Sequence, residues 1–326
     1  MNAPASEFAL IDRHFRRPVQ HADVRVGIGD DAAVIAPTPG AELAVSVDML
    51  VEGRHFMAGA DPKALGHKAL AVNLSDLAAM GARPRFALLA GALPEPDEAW
   101  LDAFMQGFRA LAQRHDVELI GGDTTSGPRN LCVTVIGELP AGAAITRAGA
   151  RAGDDIYVSG TLGAAALAVA AARGNVALAD ADRDRLRARL DRPEPRVGLG
   201  LGLRGVASAA LDVSDGLTGD LAHILEASGC GATLEWARLP ADPAIAARLD
   251  GPDRALALRC LLAGGDDYEL CFTAPAHSRA SIAALSHALD VACTRVGVID
   301  AGDALAVVDR DGAPLQPLPR AFDHFA

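Results

Sequence analysis

Apolar residues in this chain come in short runs that repeatedly end on an acidic or glycine-rich turn. Short apolar runs of this kind predict strands at 24–28, 33–35 and 43–47, separated by glycine-containing turns. A helical pattern then opens with Asp61 as N-cap and Pro62 in the first position. It runs to Met80 and stops at Gly81, with Pro84 beyond. A strand is expected at 86–92, a helix at 96–115 with acidic residues in its first turn, and strands at 117–120 and 131–138. The segment 140–153, rich in glycine and alanine, reads as a boundary. Beyond it, strands are expected at 155–159, 210–213, 232–236 and 268–273, with helices at 182–190, 195–207, 217–228 and 278–289. An alanine-rich helix follows Gly160–Gly163, which is a weak phosphate-loop signal, and Asp311-Gly312 signals a hairpin within 307–314. The fold class read from this pattern is α/β (α+β) with two domains: a sheet-plus-helices domain over 1–140 and a mixed α+β domain over 141–326. The pattern does not fix the strand order.

Composition narrows the function. Half of the 326 residues are apolar and 22% are charged, which excludes wholesale disorder. A net charge of −12 argues against a nucleic-acid surface. Lys63 and Lys68 are the only lysines, and no G-x-x-x-x-G-K-[ST] string occurs, so a P-loop lysine is excluded. The five cysteines are scattered and form no CxxC pair, which predicts free thiols rather than zinc ligands or a disulfide framework. No apolar leader and no charge-free run long enough to span a bilayer appears, so the expected setting is cytoplasmic, with no membrane partner.

The placement of the aspartates carries the chemistry. Asp30 and Asp31 stand in GIGDD, Asp48 in SVDML, Asp76 in NLSDL and Asp123 in GGDTT. Asp212 and Asp215 stand in DVSDG, and Asp266 in GGDDYEL. Two unit charges about 5 Å apart repel by ~3 kcal/mol at an effective dielectric of ~20, so a convergent set needs cations to neutralise it. Hard oxygen ligands select Mg²⁺ or Ca²⁺, and Mg²⁺ commonly shares its shell with substrate phosphates. Ser46 lies on the same strand face as Asp48 and adds a hydroxyl. Asp76 sits inside an apolar helix with Asn73 on its face, and a carboxylate there demands a metal or a cationic partner. Gly121 and Gly122 allow close backbone approach to a phosphate beside Asp123. The DVSDG turn opens a helix whose free N–H groups suit an anion. Arg147 is a candidate phosphate clamp and His55 a candidate phosphate contact. No Ser-His-Asp order or Cys-His pair stands out, so covalent catalysis is not expected.

Taken in order, GIGDDAAVI, SVDMLVEGRHF, KALAVNLSDLAAMGA, LIGGDTT, ITRAGARAGDDIYVSG, LDVSDGL, GGDDYELCFT and the terminal FDHF resemble the thiamine-monophosphate kinase family. That family is related to aminoimidazole ribonucleotide synthetase and selenophosphate synthetase. The resemblance implies ATP-dependent phosphorylation of thiamine monophosphate with several Mg²⁺ ions, ATP as co-substrate, and a homodimer whose N-terminal sheets pair across a two-fold axis. It implies metal ligands at Asp31, Ser46, Val47 (through its carbonyl), Asp48, Asp76, Asp123, Asp212 and Asp215, with Asp30 beside them. It implies nucleotide contacts at Gly122, Asp123, Arg147 and Ser214, and substrate contacts at His55, Asp266 and Phe322.

Two positions depart from the family pattern. Asp266 stands where Glu is common, and Phe322 where a Tyr or Trp is usual, so both departures touch expected substrate contacts. Another ATP-dependent synthetase of the same superfamily, or a Ca²⁺-stabilised binding protein, is the alternative reading. Selenophosphate chemistry is disfavoured because the first cysteine is Cys132.

Overall fold

Three eleven-residue strands dominate the first sheet of the computed structural model, which describes residues 7–322. The chain divides into two compact units. One comprises the chain up to Leu77 with Ala82–Gly142, and the other comprises Ala78–Gly81 and the chain from Ala143.

The first unit contains α1 (Glu7–Leu10), β1 (Val24–Val26), β2 (Val34–Ile35), β3 (Ala41–Val51), α2 (Pro62–Ala79), β4 (Arg83–Leu93), α3 (Glu98–Arg114), β5 (Glu118–Ser126) and β6 (Asn130–Pro140). Its main sheet has the order β3-β6-β4-β5, and β1 and β2 pair separately as a small antiparallel ribbon. The α2 helix starts as its caps dictate, with the Asp61 carboxylate accepting from the Lys63 and Ala64 N–H groups. It ends in a left-handed Gly81, with Ala82 N–H reaching back to the Leu77 carbonyl at 2.8 Å. The α3 helix is amphipathic and buries Leu101, Phe104, Met105, Phe108 and Leu111 along one stripe. Gly66 of α2 and Gly107 of α3 let the two helix backbones touch, since a Cβ on either would fall within 2 Å of a carbonyl oxygen on the other helix.

The second unit contains β7 (Asp155–Ser159), α4 (Ala164–Ala172), α5 (Asp180–Asp191), α6 (Val197–Leu203), β8 (Ala209–Val213), α7 (Leu217–Ser228), β9 (Gly231–Glu235), α8 (Pro243–Ala246), α9 (Arg254–Ala263), β10 (Glu269–Ala274), α10 (Arg279–Leu289), β11 (Cys293–Asp300) and β12 (Leu305–Val308). Its six-stranded sheet runs β12-β9-β11-β7-β10-β8, antiparallel except for the β12–β9 pair. Every residue of β7, β8 and β10 is buried, which is why these strands read as continuous apolar runs rather than alternating ones.

The architecture is the expected α/β (α+β) class. Two elements leave little trace in the sequence. In β11, Gly297 and a register shift after Arg295 break the alternation, although the strand is internal to the sheet. In α9, arginines at the first and sixth positions of a ten-residue segment obscure the period. No helix among the described residues is long and apolar enough to cross a membrane.

Candidate active site

In the first unit, β3 and α2 bring Ser46 onto Asp76 and the Asp48 backbone onto Asn73. Ser46 donates its hydroxyl to the Asp76 carboxylate at 2.5 Å. The Asn73 side-chain carbonyl accepts from the Asp48 backbone N–H at 3.0 Å, while its amide donates to the Ala69 carbonyl. Asp76 is half-buried and has a hydroxyl donor, so the expectation that it needs a metal or a cation is met in part by Ser46. Val47 alternates to the other face and is 58% exposed, which leaves its carbonyl as the candidate ligand.

Asp30 and Asp31 lie exposed in the loop between β1 and β2, where the Asp30 carboxylate accepts the Asp31 N–H at 2.9 Å. His55 is half-buried at the end of β3, and its Nδ1 accepts the Val51 N–H at 2.9 Å. That bond assigns the neutral ring's proton to Nε2.

The GGDTT string does not form a turn, as the sequence pattern implies, but continues strand β5. Gly122 makes this possible: its φ is +154°, and a Cβ there would lie 1.9 Å from the Leu89 carbonyl oxygen on β4. Asp123 is thereby exposed on an edge strand, beside a pocket that it and Thr124 share with Phe15, Leu89, Trp100 and Leu131. The register aligns Asp48 with Val133, Leu89 and Gly122 across the sheet. Asp48 and Asp123 therefore stand at opposite edges, three strand spacings or about 14 Å apart.

In the second unit, the turn after β8 and the segment before β10 are tied together. Asp212 is buried on β8, opposite Leu270. The Ser214 carbonyl accepts the Asp266 N–H at 2.9 Å, and the Val213 carbonyl accepts the Tyr268 N–H at 2.8 Å. The Asp215 carbonyl accepts the Phe322 N–H at 3.2 Å. Asp266 and Tyr268 both adopt left-handed backbones, with φ of 68° and 51°. Such conformations in non-glycine residues cost energy and concentrate at functional sites. The last three residues of the FDHF string lie outside the described residues. Arg147 is exposed, and its carbonyl accepts the Ser228 hydroxyl at 3.1 Å.

One expectation is corrected here. The N–H groups of the DVSDG turn do not stand free for an anion. Asp220, in the first turn of α7, accepts all three from Ser214, Asp215 and Gly216 at 3.0–3.1 Å. Burial pushes the Asp220 carboxyl up to about 7, against the three N–H donors that hold it down. Sequence reasoning missed this residue because an aspartate in a first helical turn reads as ordinary dipole complementation.

It also missed Glu269, the glutamate inside GGDDYEL. Glu269 is fully buried, and it accepts from the Ser159 hydroxyl, from Arg189 and from both nitrogens that Arg196 presents. Asp267 is buried too, with one carboxylate oxygen accepting the Gly163 N–H at 2.8 Å ahead of α4, and burial raises its carboxyl well above the usual range.

Among the described residues, no three His, Cys, Asp or Glu side chains converge to hold a metal ion by themselves.

Two family models match the chain. The N-terminal domain of AIR synthase related proteins covers residues 29–139, and the C-terminal domain covers residues 151–310. The thiamine-monophosphate kinase of Salmonella typhimurium is 45% identical over 98% of both chains. The crystal structure of thiamine-monophosphate kinase from Stenotrophomonas maltophilia superposes with a TM-score of 0.86 at 48% identity, covering 95% of this chain and 98% of that one. AaThiL, complexed with AMPPCP and TMP, superposes with a TM-score of 0.77 at 27% identity over 89% of each chain. With two AIR synthase related domains and full-length identity at this level, the chain belongs to the thiamine-monophosphate kinase family.

Proposed function

We propose that this protein transfers the γ-phosphoryl group of ATP to thiamine monophosphate, yielding thiamine diphosphate and ADP, the last step in making that cofactor. The observation that carries the reading is the end-to-end likeness to thiamine-monophosphate kinases, one of which is known in complex with AMPPCP and TMP. The acceptor is a phosphate monoester whose second pKa is about 6, so at neutral pH it is already mostly a dianion. No side chain has to deprotonate it, and none has to form a covalent intermediate. What the protein must supply is alignment of two anionic groups and compensation of their repulsion.

The donors fit Mg²⁺. Asp30, Asp31, Ser46, Asp48, Asp76, Asp123, Asp212 and Asp215 offer hard oxygens, and Val47 offers a carbonyl. Mg²⁺ takes such oxygens and commonly completes its shell with water and phosphate oxygens. When bound, such ions neutralise phosphate charge and orient the transferring group. In this reading Gly122, Asp123, Arg147 and Ser214 hold the nucleotide, while His55, Asp266 and Phe322 hold the acceptor. Asp266 reaches about one methylene less far than the Glu common in the family, so acceptor affinity is the property most sensitive to this chain's departures.

The segment up to about residue 140 serves metal and ATP binding and dimerisation, and the remainder completes the machinery. A homodimer is supported by the sheet itself: Leu43, Val45, Val47 and Met49 leave one face of β3 apolar and exposed. Five free cysteines fit a reducing, cytoplasmic setting.

Product analysis with ATP, MgCl₂ and thiamine monophosphate, with an EDTA control, tests the proposal. Equal amounts of thiamine diphosphate and ADP, abolished by EDTA, are expected. ADP without thiamine diphosphate would redirect the search to another acceptor, and no ATP consumption would reject a kinase.

A further inference from the structure

The turn at 213–216 is held from two sides. Its three successive N–H groups, from Ser214, Asp215 and Gly216, all end on one carboxylate oxygen of Asp220, a side chain only 6% exposed. Its carbonyls in turn hold the residues of the acceptor side: Val213 takes Tyr268, Ser214 takes Asp266 and Asp215 takes Phe322. A backbone whose three N–H groups from 214 to 216 all end on one buried carboxyl oxygen has little freedom to tilt. A shift of Asp220 would therefore move Asp212 and Asp215, Ser214, and Asp266 with Phe322 at the same time.

We propose that Asp220 is a positioning residue for phosphoryl transfer, fixing the 213–216 turn so that its metal-binding, nucleotide-binding and acceptor-binding groups keep one mutual geometry. The proposal rests on the kinase reading above. It assigns Asp220 no contact with substrate. Asn at this position keeps the volume and one acceptor oxygen, so it retains part of the hold, whereas Ala removes the acceptor entirely.

The test uses the full-length protein with Asp220→Asn and Asp220→Ala. Amide hydrogen exchange, measured without metal or nucleotide, is expected to speed up about tenfold or more at Ser214, Asp215 and Gly216 in Asp220→Ala, while the β10 amides at Leu270 and Phe272 keep their protection. Turnover is expected to fall about 100-fold, as misplacement by an ångström does, with partial recovery in Asp220→Asn. The MgCl₂ concentration for half-maximal rate is expected to rise about tenfold, as it does when the groups orienting metal ligands are lost.

Unchanged exchange at 214–216 overturns the proposal. So does faster exchange with turnover and MgCl₂ dependence both within about threefold of the unmodified protein, since the turn would then be held for stability alone. If Asp220→Ala fails to fold, Asp220→Asn decides by the same criteria. An unmodified protein that makes no thiamine diphosphate rejects the kinase reading, and the exchange result still decides whether Asp220 holds the turn.

Discussion

The Ser46 hydroxyl lies 2.5 Å from the Asp76 carboxylate and donates to it, joining the edge strand β3 to the last turn of helix α2. The contact spans thirty residues of chain and pairs a strand position with a helix position that the sequence marks separately. It gives the half-buried Asp76 a hydroxyl donor.

Removing that carboxylate separates function from fold. Asp76→Ala and Asp212→Ala are each expected to lose at least about 100-fold in turnover. Circular dichroism and the melting transition check that each variant is folded, so that lost turnover is not lost fold. Near-normal thiamine diphosphate formation by either variant removes that residue from the set of metal ligands.

Gly122 is expected to tolerate no side chain. An alanine Cβ would meet the Leu89 carbonyl oxygen at 1.9 Å with a backbone φ of +154°. Since β4 is an interior strand, the strain has no outlet, and Gly122→Ala should cost about 3 kcal/mol or more in urea unfolding. A midpoint within error of the parent would show that β5 shifts away at little cost.

A buried carboxylate in the second unit gives a pH signature. Asp155 accepts from Arg279 at 2.6 and 2.9 Å and from Arg295 at 2.7 Å. The bond from Arg279 holds the Asp155 carboxyl below its ordinary value, against the opposing effect of burial. With the folded value depressed below an unfolded value of about 3.9, the stabilisation is fully present above that pH and is lost as pH falls through the folded value. Asp155→Asn should thus be less stable than its parent at pH 7, with the difference shrinking below about pH 4. Paired unfolding curves at pH 7 and pH 3 check it, and a gap that stays constant rejects the ion pair as its source.

The exposed face of β3 makes a prediction about assembly. Val45 is 63% exposed and flanks Val47 and Met49 on the same face. Sedimentation velocity should show a dimer for the parent and a monomer for Val45→Lys, because a charge at the centre of an apolar interface is left unpaired. A dimer in both samples would place the interface elsewhere on the molecule.

The sequence alone settled the class of fold, the family and the list of candidate aspartates. Caps at Asp61 and Gly81, continuous apolar runs at β7, β8 and β10, and ordered acidic strings are local signals, and local signals survive in one dimension. Tertiary structure decided which groups meet. That Ser46 faces Asp76, and that Asp48 and Asp123 stand at opposite sheet edges, follows from strand order, which no alternation encodes. GGDTT reads as a turn, yet close approach to Leu89 makes it strand. Asp220 and Glu269 were invisible as organisers because their partners come from the turn at 214–216 and from Ser159, Arg189 and Arg196. A buried carboxylate draws its meaning from the donors that surround it, and those donors are assembled only when the chain has folded.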